Sequence, residues 1–353
     1  MYIVVVLSNK LNQKVFIMDL RRLIIERKVI VVLDPAVLNT PADDFYSRFG
    51  SSIESIAVVA KAPSGRTYYN SENARQEKEY SDYFESYASL GDQLGINVYA
   101  VINAFSDEWF GQDPMYKTID SEGNAIHTHV CPNRKEYWHY LSEISKEVVM
   151  KHAQGVILTG LSYINSRYCF CEHCRKEFSE ISGLPADFNF DDVKNNPSIW
   201  EQWVNWRKSK ISEAVNHITD KVWSVRKDVY IIPTVYYDME VGGIKSTLEL
   251  FGQDPLELVN LTGNLAIHIN PWSPLLPDTD TQEYQNLLQE LSFVKDIFVK
   301  GYSATIFYWG PISEQELTIL SKLSDDLNIQ NIFVYPNYPA SYARWREAHF
   351  GIA

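Results

Sequence analysis

The sequence predicts a single (β/α)8 TIM barrel with an N-terminal extension. Three observations carry that expectation. Eight short apolar runs recur along the 353 residues. Nearly every run is followed by a stretch with helical periodicity, the pattern of alternating strand and helix that closes into a parallel barrel. No G-x-G-x-x-G or Walker loop follows any early run, which removes the usual signature of a doubly wound nucleotide-binding sheet.

The runs are justified in order. Residues 1–28 combine a strand-like MYIVVVL with apolar and basic residues at helical spacing, and are assigned to an extension; residues 29–353 are assigned to the barrel. VIVVLD (29–34) is the first barrel run and IESIAVVAK (53–61) the second. Helical character over 74–94 then ends at Gly95, placed as a C-terminal cap. INVYAVINA (96–104) is the third run and enters a long polar loop, FSDEWFGQDPMYKTIDSEGNAIHTHV. Asn133 with Glu136 reads as a capping box for a helix reaching about His152, which meets the fourth run, GVILTG. A helix of some 28 residues spans 198–226 and leads to VYIIPTVYY (229–237), the fifth run. LAIHINPW (265–272) is the sixth, and a helical stretch over 281–299 precedes SATIFYWG (303–310), the seventh. Ser313 and Glu316 form a second capping box, and IQNIFVYPN (329–337) is the eighth run.

Composition narrows the function. A formal charge of −13 without a basic cluster argues against a nucleic-acid partner. No apolar run approaches the ~18 residues of a membrane span, so no membrane partner is expected. With neither a basic leader region nor a cleavage site, the chain is expected to be soluble and cytoplasmic. The 22 Tyr and 9 Trp are abundant; such rings can stack on sugars, although most aromatic side chains belong to cores.

Four cysteines form the sharpest motif. Cys169, Cys171 and Cys174 fall in C-F-C-E-H-C after the fourth run, and Cys131 precedes the helix that leads into it. Four thiolates complete a tetrahedral structural zinc shell that holds loops and leaves no open position for chemistry. Free thiols or a disulfide are the alternatives, and His173 is a substitute ligand should Cys131 not reach.

In a barrel, chemistry sits at the C-terminal ends of the strands. The carboxylates there, Asp34, Glu108, Asp238 and Glu240, are the candidate catalytic groups, with Glu108 paired to Asp238 or Glu240 as the favoured combination. Lys61, Asn103, Tyr163, His268, Asn270 and Tyr308 are candidate substrate contacts, and Trp109, Trp272 and Trp309 are candidate sugar platforms. Each has a plainer reading: Asp34 before Pro35 can open a turn, Glu108 can be a solvated loop charge, and His268 can be a core residue.

Several segments together resemble a known group. KAPSGRTYYNS, IDSEGN, HVCPNRKEYWHYL, GVILTGLSY with CFCEHCRKEF, FGQDPLEL and IFYWG resemble the glycoside-hydrolase-like TIM barrels related to amylase-type and family 42 hydrolases. The Cys-Pro-Asn and C-x-C-x-x-C layout is similar to that of zinc-bearing family 42 β-galactosidases, which implies a structural zinc on Cys131, Cys169, Cys171 and Cys174. The resemblance covers most of residues 29–338 and implies a carbohydrate substrate or ligand at the barrel mouth. One departure is sharp. Relatives carry a carboxylate at the end of strand four, in a segment like GIHLDGIRY or as Asn-Glu; here Thr159 occupies that place and Ser162 that of an arginine. Threonine neither carries a negative charge nor protonates a leaving oxygen at neutral pH. A non-catalytic relative that binds glycan or a partner is therefore the rival expectation. A third is an isomerase or lyase using Lys61 and His268.

Overall fold

The computed structural model describes residues 29–239, 241–269, 276–309 and 313–335, with two short strands at Ile3–Val5 and Phe16–Met18. Glu240, Asn270 and Trp272 lie outside the described residues. Eight parallel strands close a barrel: β1 Val29–Leu33, β2 Ser55–Lys61, β3 Asn97–Asn103, β4 Gly155–Thr159, β5 Tyr230–Tyr237, β6 Asn264–Ile269, β7 Ser303–Trp309 and β8 Ile332–Tyr335. Strands pair in chain order, and Ile332 opposite Val29 closes the ring. The runs are apolar because both faces are buried, one in the barrel and one under helices.

Side chains alternate along a strand, so the cross-strand register sorts the wall into two faces. Tyr99 and Phe333 come from strands that are not neighbours, yet their rings meet at 5.6 Å, which puts both inside the barrel. Register then carries the inner face around the ring through the pairs Tyr99–Gly155, Ile157–Ile232, Thr234–Ala266, Tyr236–His268, His268–Phe307 and Phe307–Phe333. Gly155 is small for a reason: a Cβ there would lie 2.7 Å from the Tyr99 ring.

The helical layer follows local signals. Gly95 adopts a left-handed φ of 71° and caps Tyr83–Leu94. Ser313 and Glu316 complete the capping box that opens Glu314–Asp326. The long helix is Pro197–Trp223, started by the Asn196 side chain accepting from the Ser198 and Ile199 amides, with Pro197 in the first turn. Its Trp203 and Trp206 pack on Phe178, so those rings belong to the helical core. The expected helix over 281–299 is two, Gln282–Glu290 and Phe293–Val299, joined at Leu291 and Ser292; serine is a weak helix-interior residue.

Two further expectations are corrected. Asn133 caps nothing: the helix Lys135–Met150 follows Arg134 without a side-chain cap. Asn133 is instead buried, its amide donating to Cys174 Sγ at 3.2 Å while its oxygen accepts from the Tyr163 hydroxyl. The long loop after β3 contains an antiparallel hairpin, Lys117–Ile119 with Ala125–Val130. Asp120 organises its turn by accepting from the Glu122 and Asn124 amides at 2.8 Å each, and Gly123 takes a φ of 90°.

Candidate functional site

The inner face of the wall ends, at the mouth, in a ring of polar and aromatic side chains. Alternation places Asp34 after β1, Asn103 on β3, Thr159 on β4, Asp238 after β5, His268 on β6, Trp309 on β7 and Tyr335 on β8 facing the axis. β1 and β5 are opposite walls of an eight-stranded ring, so the strand ends that carry Asp34 and Asp238 lie across the mouth from one another. Both are buried.

Asp34 has a built environment. Its Oδ2 accepts the Tyr335 hydroxyl at 2.5 Å and its Oδ1 the Ala36 amide at 2.9 Å. Burial pushes its carboxyl above the ordinary aspartate range, and these two hydrogen bonds only partly offset that. Burial and the adjacent Asp34 charge likewise raise the Tyr335 phenol, so it stays a donor. Tyr335 is not among the candidate site residues drawn from the sequence. The available signal was its spacing of two from Phe333 along β8.

Asn103 and Thr159 are tied together. The Thr159 hydroxyl donates to Asn103 Oδ1 at 3.2 Å, and Asn103 Nδ2 donates to the Lys61 carbonyl at 3.1 Å. The inner ring thus carries an amide and a hydroxyl on the β3–β4 side.

Lys61 leaves the inner face. A β-bulge between Val59 and Lys61 brings Lys61 opposite the outward-facing Ile102, and re-aiming a side chain is what a bulge does. Its ammonium sits 3.0 Å from Asp107 Oδ2 and donates to the Asn103 carbonyl at 2.7 Å, fully buried. Asp107 also accepts from the Trp109 and Phe110 amides and from the Tyr137 hydroxyl. This ion pair fastens the loops after β2 and β3 and presents no free charge.

Glu108 and Trp109 sit on the rim beyond that anchor. Glu108 is half-buried, and Trp109 is 50% exposed with the Arg75 guanidinium over its ring at 4.3 Å. Trp309 is half-buried in the inner ring. Tyr308 points outward instead, its hydroxyl donating to Glu316 in the helical layer at 3.1 Å. Tyr163 is buried under the β4 loop against Asn133, with the Arg207 guanidinium 4.3 Å from its ring centre. Two flank grooves of 510 and 590 Å³ near Arg167 and Phe190 include none of the inner-ring residues.

The cysteines converge. All four are buried, and their sulfurs lie within 4.8 Å of one another. Cys131 Sγ is 3.3 Å from Cys174 and 3.9 Å from Cys171, and Cys171 is 3.4 Å from Cys174. A disulfide needs about 2.05 Å, and the four thiols are free. A tetrahedron with metal–sulfur bonds of about 2.3 Å has sulfur–sulfur edges of about 3.8 Å, so the cluster can hold a metal ion. Amide donors surround it, from Asn133 to Cys174 and from the Ile119 backbone to Cys169 at 3.5 Å. Burial pushes the Cys131 and Cys174 thiols up, while hydrogen bonds from the other cysteines, Cys131 foremost, hold Cys171 well down. His173 is not drawn in; its Nε2 lies 3.2 Å from the Asn133 carbonyl.

Beneath the mouth, the FGQDPLEL segment acts as a latch that the sequence reading did not anticipate. Gln253 is buried, donates to the Leu161 and Thr234 carbonyls at 2.8 Å each, and accepts from the Tyr236 amide at 2.8 Å. It ties the β4 loop to β5. Among the described residues no helix is long and apolar enough to cross a membrane.

No protein-family model matches the chain, and no curated protein matches it. Solved structures do. The glycoside hydrolase domain of PgaB (BpsB) from Bordetella bronchiseptica aligns with a TM-score of 0.67 at 16% identity, covering 93% of this chain and 99% of that one. The catalytic domain of β-amylase from Paenibacillus polymyxa aligns at 0.62 and 10% identity, covering 92% and 98%. A β-galactosidase from the haloarchaeon Halorubrum lacusprofundi aligns at 0.61 and 9% identity, with 91% of this chain covering 57% of that one. At such identities the likeness speaks for the backbone. This chain has the barrel fold on which those glycoside hydrolases are built.

Proposed function

We propose that the protein is a glycoside hydrolase working at the mouth of its barrel, with Asp34 and Asp238 as the acid and the base or nucleophile. The observation that carries this reading is a buried carboxyl at the end of each of two opposite strands, with burial holding the Asp34 carboxyl toward its protonated form. A carboxyl raised in this way suits the acid role. Asp34, shifted toward its protonated form, would give its proton to the glycosidic oxygen as the bond to the anomeric carbon breaks. Asp238 would act on the other face of the sugar, taking a proton from water or bonding to the anomeric carbon. Asn103 and Thr159 supply hydrogen bonds for hydroxyls, Trp309 an inner aromatic wall and Trp109 a rim platform.

Leaving-group dependence tests the roles. Asp34→Asn should cut turnover of natural glycosides by about 10²–10⁴-fold while sparing aryl glycosides whose phenolate leaves without protonation. Asp238→Asn should impair both. Equal loss on both substrates in Asp34→Asn would remove Asp34 from the acid role.

A second reading has its own observation. Thr159 lies on the inner face, at the position where the family resemblance implies an acid, which favours a barrel that binds glycan without cleaving it. Calorimetric sugar binding with no turnover of any glycoside would establish it.

We also propose that the cysteine cluster holds a structural zinc ion. Four buried sulfurs at tetrahedral spacing with amide donors behind them fit a closed zinc site. It would fix the β4 loop to the segment before Lys135–Met150 and take no part in hydrolysis.

A further inference from the structure

His268 lies on the inner face of β6, is 1% exposed, and among the described residues has no hydrogen-bond partner on either ring nitrogen. Its surroundings are rings. Tyr236 lies at 5.4 Å and Phe307 at 5.2 Å on the neighbouring strands, and Trp309 meets it edge-on at 4.3 Å from the layer nearer the mouth. Burial pushes the imidazole down to about 3, so it is neutral at neutral pH. A neutral imidazole offers one N–H donor and one acceptor lone pair. Buried polar atoms are nearly always paired, and those that are not point to something the chain itself does not supply. A phenylalanine would fill this aromatic cage without leaving any polar atom unpaired. The position is therefore poor as packing and well suited to reading a ligand.

We propose that His268 is a ligand-reading residue at the floor of the mouth, one of its ring nitrogens pairing with a sugar hydroxyl as Trp309 moves off the ring. This rests on the carbohydrate reading above and deepens it. A sugar hydroxyl both donates and accepts, so it can pair with either nitrogen of a neutral imidazole. A carboxylate only accepts, so it can pair with the N–H and never with the lone pair. The residue thus favours an uncharged ligand bearing a free hydroxyl.

The test is a titration of the full chain, labelled with ¹⁵N at histidine and tryptophan, with galactose and with glucose. The expected result is that at least one His268 nitrogen and the Trp309 indole shift together on adding one of these sugars. A Trp309 shift with silent His268 nitrogens would keep the carbohydrate site and overturn the role of His268. Silence from both groups would remove the carbohydrate reading as well. His268→Phe supplies the second arm: its Tm should equal or exceed that of the wild type while sugar affinity falls about tenfold or more. A lowered Tm with unchanged affinity would make His268 a packing or buried-water residue and overturn the proposal; if both fall, the wild-type nitrogen shifts decide.

Discussion

Asp34 shows how one residue acquires a role from its neighbours. Its carboxyl is buried at the end of β1 against Tyr335, and burial outweighs the two hydrogen bonds that favour the charged form. A carboxyl raised in the folded state adds stability that is fully present below its unfolded value of 3.8 and is lost as pH rises through its folded value. Asp34→Asn removes that loss. Its Tm relative to wild type should therefore rise from acid toward neutral pH, as thermal melts across that range would record; a constant difference would contradict the burial argument. The residue was legible as a strand-end acid because Asp34 follows an apolar run. Its partner was not, because Tyr335 lies 301 positions away and only barrel closure brings the two together. Lys61 was legible in position and not in direction, since the bulge that turns it appears only in the pairing of β2 with β3.

Among the elements, the loops after β2, β3 and β4 are fixed by buried polar devices. Lys61 and Asp107 are both fully enclosed, and removing one partner of such a pair leaves an uncompensated charge. Lys61→Met should destabilise the fold by about 3 kcal/mol or more, and the Lys61→Met, Asp107→Leu double variant by less; urea denaturation of both measures this. A double variant worse than the single one would show that Asp107 serves its backbone and Tyr137 donors more than the lysine. The cysteine cluster fixes the β4 loop. Elemental analysis should find one zinc per chain, and Cys174→Ser should lower both zinc content and Tm; wild-type protein purified without metal and melting at the same temperature would contradict a structural role. Cysteine spacing made this cluster legible, because C-x-C-x-x-C brings three sulfurs together locally. The supporting Asn133 was misread as a cap, since Asn-x-x-Glu satisfies the capping pattern while tertiary burial against Cys174 and Tyr163 wins.

The whole molecule is an eight-strand closed ring whose inner-face register decides which strand-end residues meet. The barrel was legible because buried parallel strands are continuous apolar runs, each ended by turn residues. Which faces of those strands line the mouth was not, because alternation gives two choices until one inner contact, here Tyr99 with Phe333, sets the phase. Once set, that phase puts the strand ends carrying Asp34 and Asp238 on opposite walls, turns Tyr308 outward to Glu316 and leaves Thr159 on the inner face beside Asn103. The central claim is hydrolysis of a glycan by those two carboxyls. The most direct measurement is release of new reducing ends from a panel of α- and β-linked glucans, galactans and glucosaminoglycans by the wild type, Asp34→Asn and Asp238→Asn side by side. The account predicts release from at least one glycan by the wild type and a loss of about 10²-fold or more in each variant. A wild type that releases no ends from any of them, or variants that retain full activity on the glycan it cleaves, would contradict it.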